Sequence, residues 1–118
     1  MRSIPVRIAD GLAEDIERLS LRAYIALGCR DLARVDVRLS GDGVPNVCAV
    51  DALPPLTGDE ALGALLPAAE AVGVGLEELI LRCLVLAAER SGVALPNVPV
   101  FSRLPRRTPP GGMRIRPT

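Results

Sequence analysis

The stretch "LARVDVRLSGDGVPNVCAVDALPPLT", residues 32–57, determines the fold that we expect for this chain. Apolar and charged residues alternate in its first part, a pattern typical of a strand with one core face and one charged face. The apolar members are Val35, Val37 and Leu39, and the charged members are Arg34, Asp36 and Arg38. Residues 40–43, with the sequence SGDG, predict a turn, and residues 47–53 resume an extended run. The simplest arrangement of two strands and a short turn is a β-hairpin.

The second strand of this hairpin carries one acidic residue, Asp51. Successive side chains of a strand point to opposite faces, so Asp51 shares a face with Ala49, where both can meet Arg34 and Asp36. The residues that we expect on the core face are Cys48, Val50 and Ala52. Two interpretations of the charged face stay open: a site for metal and phosphate, or a solvated strand face with an exposed ion pair of little energetic value.

A helix is predicted before the hairpin. Apolar residues recur at spacings of three and four from Asp10 onward, which places them on one helical stripe. The stripe consists of Leu12, Ile16, Leu19, Ala23 and Leu27. Asp10 suits the start of the helix, and Gly28 suits the left-handed position after its end. Upstream, residues 3–8 predict a short extended lead-in, because Pro5 disfavours helix.

Two more helices are predicted after the hairpin. The prolines of "LPPLTGDE" break regular structure, and a helix then runs from about 60 to 72 despite Gly63 and Pro67. The strongest helical pattern extends from Leu76 to Arg90. Residues 92–118 hold six prolines, three glycines and five arginines without periodicity, and indicate a disordered or polyproline-like tail.

These elements predict an α+β fold: a lead-in strand, a helix, a β-hairpin and two helices within residues 1–91, followed by an irregular tail at 92–118. A chain of 118 residues fits a single folding unit. All fourteen basic residues are arginines, so a Schiff-base lysine, a P-loop lysine, a histidine base and a histidine zinc site are excluded. The three cysteines have no C-x-x-C spacing, and we expect buried thiols in a reducing cytoplasm.

The charge is divided along the chain. Residues 1–91 carry nine arginines and fourteen acids, whereas residues 92–118 carry five arginines and no acid. A basic tail can attract nucleic acid, anionic lipid or an acidic protein surface, or simply aid solubility. Because lysines and interleaved aromatic residues are lacking, we do not expect nucleic acid as the partner. The apolar runs are far shorter than the roughly 20 residues of a membrane span, so we expect no membrane either.

The order of these motifs resembles the C-terminal part of D-alanine-D-alanine ligases of the ATP-grasp superfamily. The resemblance covers about residues 4–90 and is most specific in "AYIALGCRDLARVD" (23–36) and "LLPAAEAVGVGLEELILR" (65–82). It implies an ATP-dependent carboxylate–amine ligase, in which Mg²⁺ bridges the nucleotide phosphates. In that family the Asp of the ARVD-like strand and the Glu and Asn of a second strand hold the metal, and the Arg of the first strand contacts phosphate.

Transferred to this chain, the resemblance implies a phosphate contact at Arg34 and metal ligands at Asp36 and Asp51, which we interpret as weak or vestigial. The position of the family's Glu is Ala49, and that of its Asn is Asp51. The family's Pro-Gly after the strand is Pro54-Pro55, and a second proline has no N–H to donate. The family's substrate-binding Ser is replaced by Ala64, and its ATP-binding lysines and amino-terminal domain are not found in this sequence.

These departures lead to two functional expectations. The first is a degenerate ligase-like fragment, inactive alone, which acts as an interaction or oligomerisation module: a homo-oligomer or a protein partner would cover its exposed apolar surface. The isolated chain would then need no cofactor. The second is the metal- and phosphate-binding half of a split ligase that a partner chain completes, with Mg²⁺ and ATP bound in the complex.

Overall fold

The computed structural model of the chain describes residues 6–59 and 63–97. Its elements are α1 (Asp10–Ala26), β1 (Arg34–Leu39), β2 (Pro45–Asp51), α2 (Leu65–Ala71) and α3 (Leu76–Ser91). The two strands pair antiparallel in a two-stranded sheet, so the predicted α+β order of helix, hairpin and two helices is confirmed. The predicted lead-in strand at 3–8 is not formed by its described residues, 6–8, which are irregular. Residues 1–5, the start of the predicted helix at 60–62, and residues 98–118 of the predicted tail lie outside the described part.

The turn of the hairpin owes its shape to Ser40 and Gly43. Gly43 has a φ of 82°, a left-handed conformation that glycine adopts without strain. Its amide donates to the Ser40 carbonyl over 2.9 Å, and the Ser40 amide donates to the Val44 carbonyl over 2.9 Å. The Ser40 hydroxyl also bonds the carboxylate of Asp42. The SGDG composition therefore predicts this turn correctly.

The hairpin contains a β-bulge that the sequence pattern did not indicate. Asp36 lies opposite Ala49, but Val37 lies opposite Val47, so Cys48 is an extra residue on β2. The half-buried apolar pairs of the sheet are therefore Val35 with Val50 and Val37 with Val47. The prediction that Cys48 faces the core is wrong, because the bulge gives its place to Val47 and leaves Cys48 exposed.

Helix α1 packs across the hairpin. The predicted stripe residues Leu12, Ile16, Leu19 and Ala23 are all half-buried there, whereas Leu27 is exposed because the helix ends at Ala26. Ala9 occupies the N-cap position, and Asp10 instead lies in the first turn, where its negative charge complements the helix dipole. Gly28 has a φ of 66°, which confirms the predicted left-handed position.

Helices α2 and α3 have well-defined ends. Helix α2 tolerates Pro67 because that residue lies in the first turn, where an amide needs no intrahelical acceptor. Helix α3 ends at Ser91, the following Gly92 has a φ of 67°, and the Val93 amide donates to the Ala88 carbonyl over 2.9 Å. This bond is typical of a Schellman C-terminus. Glu77 and Glu78 in the first turn and Arg90 in the last turn suit the helix dipole.

The core of the described residues is small. Its buried apolar side chains are Leu66 of α2 and Leu79 and Ala88 of α3, and Pro54 of the loop after β2 is also buried. Many large apolar residues on α1, on α3 and in the loops are exposed, and Leu53, in the loop after β2, has the highest exposed fraction among the described residues, 89%. The cysteines were expected to be buried, but Cys29 and Cys83 are only half-buried. An apolar surface this incompletely covered is unusual for a self-contained domain.

Candidate functional site

The charged face of the hairpin is organised by Arg34 and Asp36. The two residues are two positions apart on β1, so their side chains lie on the same face. The Arg34 Nε donates to Asp36 Oδ1 over 3.1 Å, and a terminal guanidinium nitrogen donates to Asp36 Oδ2 over 3.3 Å. Both oxygens of the carboxylate are thus held by one guanidinium fork, and both side chains are partly exposed.

The strand register places the other predicted residues on this face. Asp51 of β2 lies opposite Arg34, and Ala49 lies opposite Asp36. Asp36 and Asp51 are therefore diagonal neighbours, for which a Cα separation of about 7–8 Å is typical. The structure thus brings Arg34, Asp36 and Asp51 together on one face, as the sequence predicts. The residue directly facing Asp36 contributes only a methyl group.

Asp51 also stabilises the turn that follows β2. Its Oδ1 accepts a hydrogen bond of 3.0 Å from the Leu53 amide, which forms an Asx-type turn at the end of β2. The chain then passes Pro54 and Pro55 and returns at Gly63 beside the charged face. A methyl group on Gly63 would lie 3.6 Å from a terminal nitrogen of Arg34 and 3.7 Å from the Pro55 carbonyl oxygen. The loop after β2 therefore borders the guanidinium of Arg34.

This donor set does not fit a Mg²⁺ ion as it stands. Magnesium requires near-octahedral oxygen ligands, and protein sites usually supply one or two carboxylates together with waters and substrate phosphates. Here Arg34 occupies both oxygens of Asp36, and Asp51 uses one oxygen for the Leu53 amide. Within the described residues, no three His, Cys, Asp or Glu side chains are grouped so that they could hold a metal. The assignment of Asp36 and Asp51 as metal ligands stays a prediction.

A second polar cluster, which sequence reasoning missed, joins α3 to the loop between α1 and β1. Both terminal nitrogens of Arg90 donate to the carboxylate of Asp31, the longer contact being 3.2 Å. Asp31 has a φ of 61°, a strained backbone for a residue other than glycine. The two residues are 59 positions apart, so no local spacing could reveal the pair.

Tyr24 and Cys83 belong to the surroundings of the Asp31–Arg90 pair. Burial raises the pKa of the Tyr24 phenol, and the charge of Asp31 raises it further. Burial, followed by the charge of Asp31, also raises the pKa of the Cys83 thiol. The cluster favours a neutral phenol and a neutral thiol, which suits a structural contact of α3 with the loop after α1 better than nucleophilic chemistry.

Comparison with known proteins supplies the context of the charged face. The family model described as "D-ala D-ala ligase C-terminus" matches residues 1–85. A D-alanine–D-alanine ligase of Levilactobacillus brevis is 37% identical over 71% of this chain and 21% of its own length. The corresponding ligase of Cupriavidus taiwanensis is 40% identical over 65% of this chain and 24% of its own length. That of Pelotomaculum thermopropionicum is 35% identical over 76% of this chain and 27% of its own length.

The chain therefore spans only about a quarter of the length of the curated relatives that it matches. No solved structure matches it with significance. None of the helices formed by residues 6–59 and 63–97 is long and apolar enough to cross a membrane. The continuous match over residues 1–85, together with the Arg34–Asp36 face on the predicted hairpin, shows that the chain belongs to the D-ala D-ala ligase C-terminus family.

Proposed function

We propose that this chain is a degenerate ligase-family C-terminal subdomain that is inactive alone and acts as an association module. The observation that carries this proposal is the extent of uncovered apolar surface. The buried apolar side chains of the described helices are Leu66, Leu79 and Ala88, whereas large apolar residues on α1, on α3 and in the loops are exposed. Such surface favours a homo-oligomer or a protein partner that covers it.

The residues on the charged face support the proposal that the chain is inactive alone. Acyl-phosphate chemistry relies on metal ions and cations that neutralise the phosphates. Ala49 supplies no carboxylate opposite Asp36, and the Arg34 guanidinium is already bound to Asp36. Pro55 has no amide hydrogen to offer to an oxyanion. No cofactor is therefore proposed for the chain alone. We also propose a cytoplasmic location, because the free Cys29, Cys48 and Cys83 suit a reducing compartment.

Native mass spectrometry and light scattering over a wide range of protein concentrations test the association module. We expect an oligomer, or a stable complex when the natural partner is added. A strict monomer at the highest concentration that also binds no partner would contradict the proposal. In parallel, purified chain with Mg·ATP and D-alanine should release no phosphate above the level of a heat-denatured control.

A second candidate is the metal- and phosphate-binding half of a split ATP-dependent carboxylate–amine ligase. The observation that favours it is the survival of Arg34 and Asp36 on one face next to the loop of Pro55 and Gly63. A partner chain would have to supply the lysines, the nucleotide pocket and the missing metal ligand, and Mg²⁺ and ATP would then bind in the complex. Arg34 would bind phosphate electrostatically, and Asp36 would provide one metal ligand once Arg34 released it.

Mixing experiments separate the two candidates. The split-ligase hypothesis predicts that D-alanine-dependent phosphate release appears only when this chain is combined with a chain that carries the missing part. Asp36→Ala should abolish that activity, whereas Asp42→Ala in the exposed hairpin turn should leave it unchanged. If no activity is recovered although the two chains form a complex, the split-ligase candidate is excluded and the association module remains.

A further inference from the structure

Helix α3 presents an apolar stripe that is only partly buried. Leu76, Ile80 and Leu84 follow one another at intervals of four residues, so they lie along one side of the helix. Their exposed fractions are 38%, 51% and 45%. Glu77 is also exposed and borders them, three residues before Ile80 and seven before Leu84. We call the three apolar residues the α3 stripe. Three exposed aliphatic side chains in register on one helix form a contiguous apolar patch, and such patches are often binding surfaces.

The area of the stripe is too small for a stable dimer. Complete burial of an aliphatic side chain removes roughly 100 Å² of apolar surface, so the stripe supplies about 300 Å² at most. Stable interfaces between separate chains bury about 800 Å² on each partner. A second copy held by this stripe alone is therefore disfavoured. A segment already tethered beside the stripe needs less area, because its effective concentration is in the millimolar range.

The chain itself offers such a segment. Residues 98–118, which we call the basic tail, follow directly after the described residues, and these end at Asn97, six residues beyond the end of α3. Helix α3 is about 24 Å long. In a polyproline-like conformation, which rises about 3.1 Å per residue, some eight tail residues suffice to run back along it. Those first residues are rich in apolar side chains: Val98, Val100, Phe101 and Leu104.

The charges of the two parts are complementary. The basic tail contains five arginines and no acid, whereas the described residues contain eight arginines and thirteen acids. A tail that runs from the C-terminal end of α3 towards its start brings Arg103 and Arg106 to the end where Glu77 lies. Attraction between opposite charges at a partly desolvated surface orients such a segment and adds to apolar contact.

We propose that the first part of the basic tail, residues 98–107, docks on the α3 stripe within the same chain. Its apolar residues cover Leu84, Ile80 and Leu76, and its arginines meet Glu77. The rest of the tail, which includes Arg114, extends beyond the helix. This contact involves α3 only, so the exposed apolar residues of α1 and of the loops stay available for association with another chain. The docking proposal and the association proposal can therefore be tested separately.

Limited trypsin digestion of the full chain tests the docking, because trypsin cuts after arginine and reports the undocked population. The quantity measured is the initial rate of cleavage after Arg103 and Arg107 divided by the rate of cleavage after Arg114. The same quantity is measured for a synthetic peptide of residues 93–118, which lacks the helix. We expect this ratio to be about tenfold lower in the chain than in the peptide, which corresponds to a tail that is docked about nine-tenths of the time. High salt should raise the ratio, because it screens the exposed charges.

Two substitutions on α3 form a matched pair. Leu84 and Leu86 have nearly equal exposed fractions, 45% and 46%, but they lie about 160° apart around the helix. Leu84→Ser should bring the cleavage ratio to the value of the free peptide, whereas Leu86→Ser should leave it low. Phe101→Ser in the tail should act like Leu84→Ser without any change in α3, which circular dichroism verifies.

Three results would overturn the inference. The first is equal cleavage ratios for chain and peptide. The second is an equal effect of Leu84→Ser and Leu86→Ser, which would place the tail elsewhere. The third is protection that increases with protein concentration, which would show that a second copy, and not the chain's own tail, covers the stripe.

Discussion

At the scale of single residues, Arg34 and any divalent cation compete for the same two oxygens of Asp36. The guanidinium fork already neutralises this carboxylate, and Asp51, across the sheet, is the nearest further acid on that face. We therefore propose that this face can bind an anion through Arg34 or a cation through Asp36 and Asp51. Which ion it prefers depends on whether the guanidinium stays on Asp36 or turns outward.

Arg34→Gln should increase the affinity of the charged face for Mn²⁺ by about tenfold, because a positive charge some 5 Å from a divalent ion is removed at a partly exposed site. Binding is measured by electron paramagnetic resonance of free Mn²⁺. Arg22→Gln on α1 serves as the control, since it changes the net charge equally without touching the hairpin. Equal affinities for the two variants would show that Asp36 takes no part in cation binding.

Tyr24 offers a second test at a single residue, because it is the only tyrosine and the chain has no tryptophan. Burial, and next the charge of Asp31, raise its pKa above the ordinary 10.0. The folded state thus binds this proton more tightly than the unfolded state. Its contribution to stability is fully present below pH 10 and is lost as the pH rises through the folded-state pKa.

The phenolate absorbance at 295 nm, followed against pH, should therefore have its midpoint above that of the chain in denaturant. Asp31→Asn should lower the midpoint, because it removes a nearby negative charge and frees Arg90 to favour the phenolate. Asp15→Asn is the matched control, since Asp15 also faces an arginine, Arg18, but on the exposed side of α1. An identical midpoint for Asp31→Asn and the unmodified chain would exclude the electrostatic contribution of Asp31.

At the scale of elements, the Asp31–Arg90 pair anchors α3 to the loop after α1. The backbone of the loop is strained at this contact, because Asp31 has a φ of 61°. A left-handed backbone costs a residue with a Cβ roughly 1–2 kcal/mol, and aspartate somewhat less than most residues. Strain of this kind persists only when other contacts hold the residue in place.

Asp31→Ala and Asp31→Gly both remove the contact to Arg90 but differ in backbone freedom. We expect the glycine variant to be more stable than the alanine variant by about 1 kcal/mol, because glycine adopts the positive φ without strain. Thermal unfolding followed by circular dichroism compares the two. If alanine were equally stable, the loop would have relaxed to a negative φ, and the contact with Arg90 would be the cause of the strained backbone.

The elements also show what sequence can and cannot predict here. The periodicity of apolar residues predicts α1, the hairpin and α3 correctly, because residues that recur at helical or strand spacing form the face that packs against neighbouring elements. The periodicity of apolar residues cannot predict the bulge at Cys48, because all four residues from 47 to 50 are apolar and can lie on either face of the strand. The Asp31–Arg90 pair is equally invisible, because it depends on how α3 lies relative to α1. The face shared by Arg34, Asp36 and Asp51 could be predicted because it follows from strand alternation and survives the bulge.

At the scale of the whole molecule, the small core limits how cooperatively the chain can unfold alone. Hydrophobic burial is the dominant favourable term of folding, and it must offset the conformational entropy of every ordered residue. Only a few apolar side chains of the described residues are buried, and many large ones remain in contact with water. The stability of the folded chain should therefore depend on what covers the exposed surface.

Urea unfolding followed by circular dichroism should accordingly give a shallow transition, with an m-value below about 1 kcal/mol/M, because little surface is exposed on unfolding. Its midpoint should rise with protein concentration if association supplies the missing cover. Leu66→Ala should abolish most of the transition, since this buried leucine of α2 belongs to the small core and such truncations cost about 2–5 kcal/mol. Glu14→Ala is the control, because Glu14 is an exposed polar residue of α1 outside the apolar surface and should leave the midpoint nearly unchanged. A steep, concentration-independent transition would contradict the need for cover and, with it, the proposed association module.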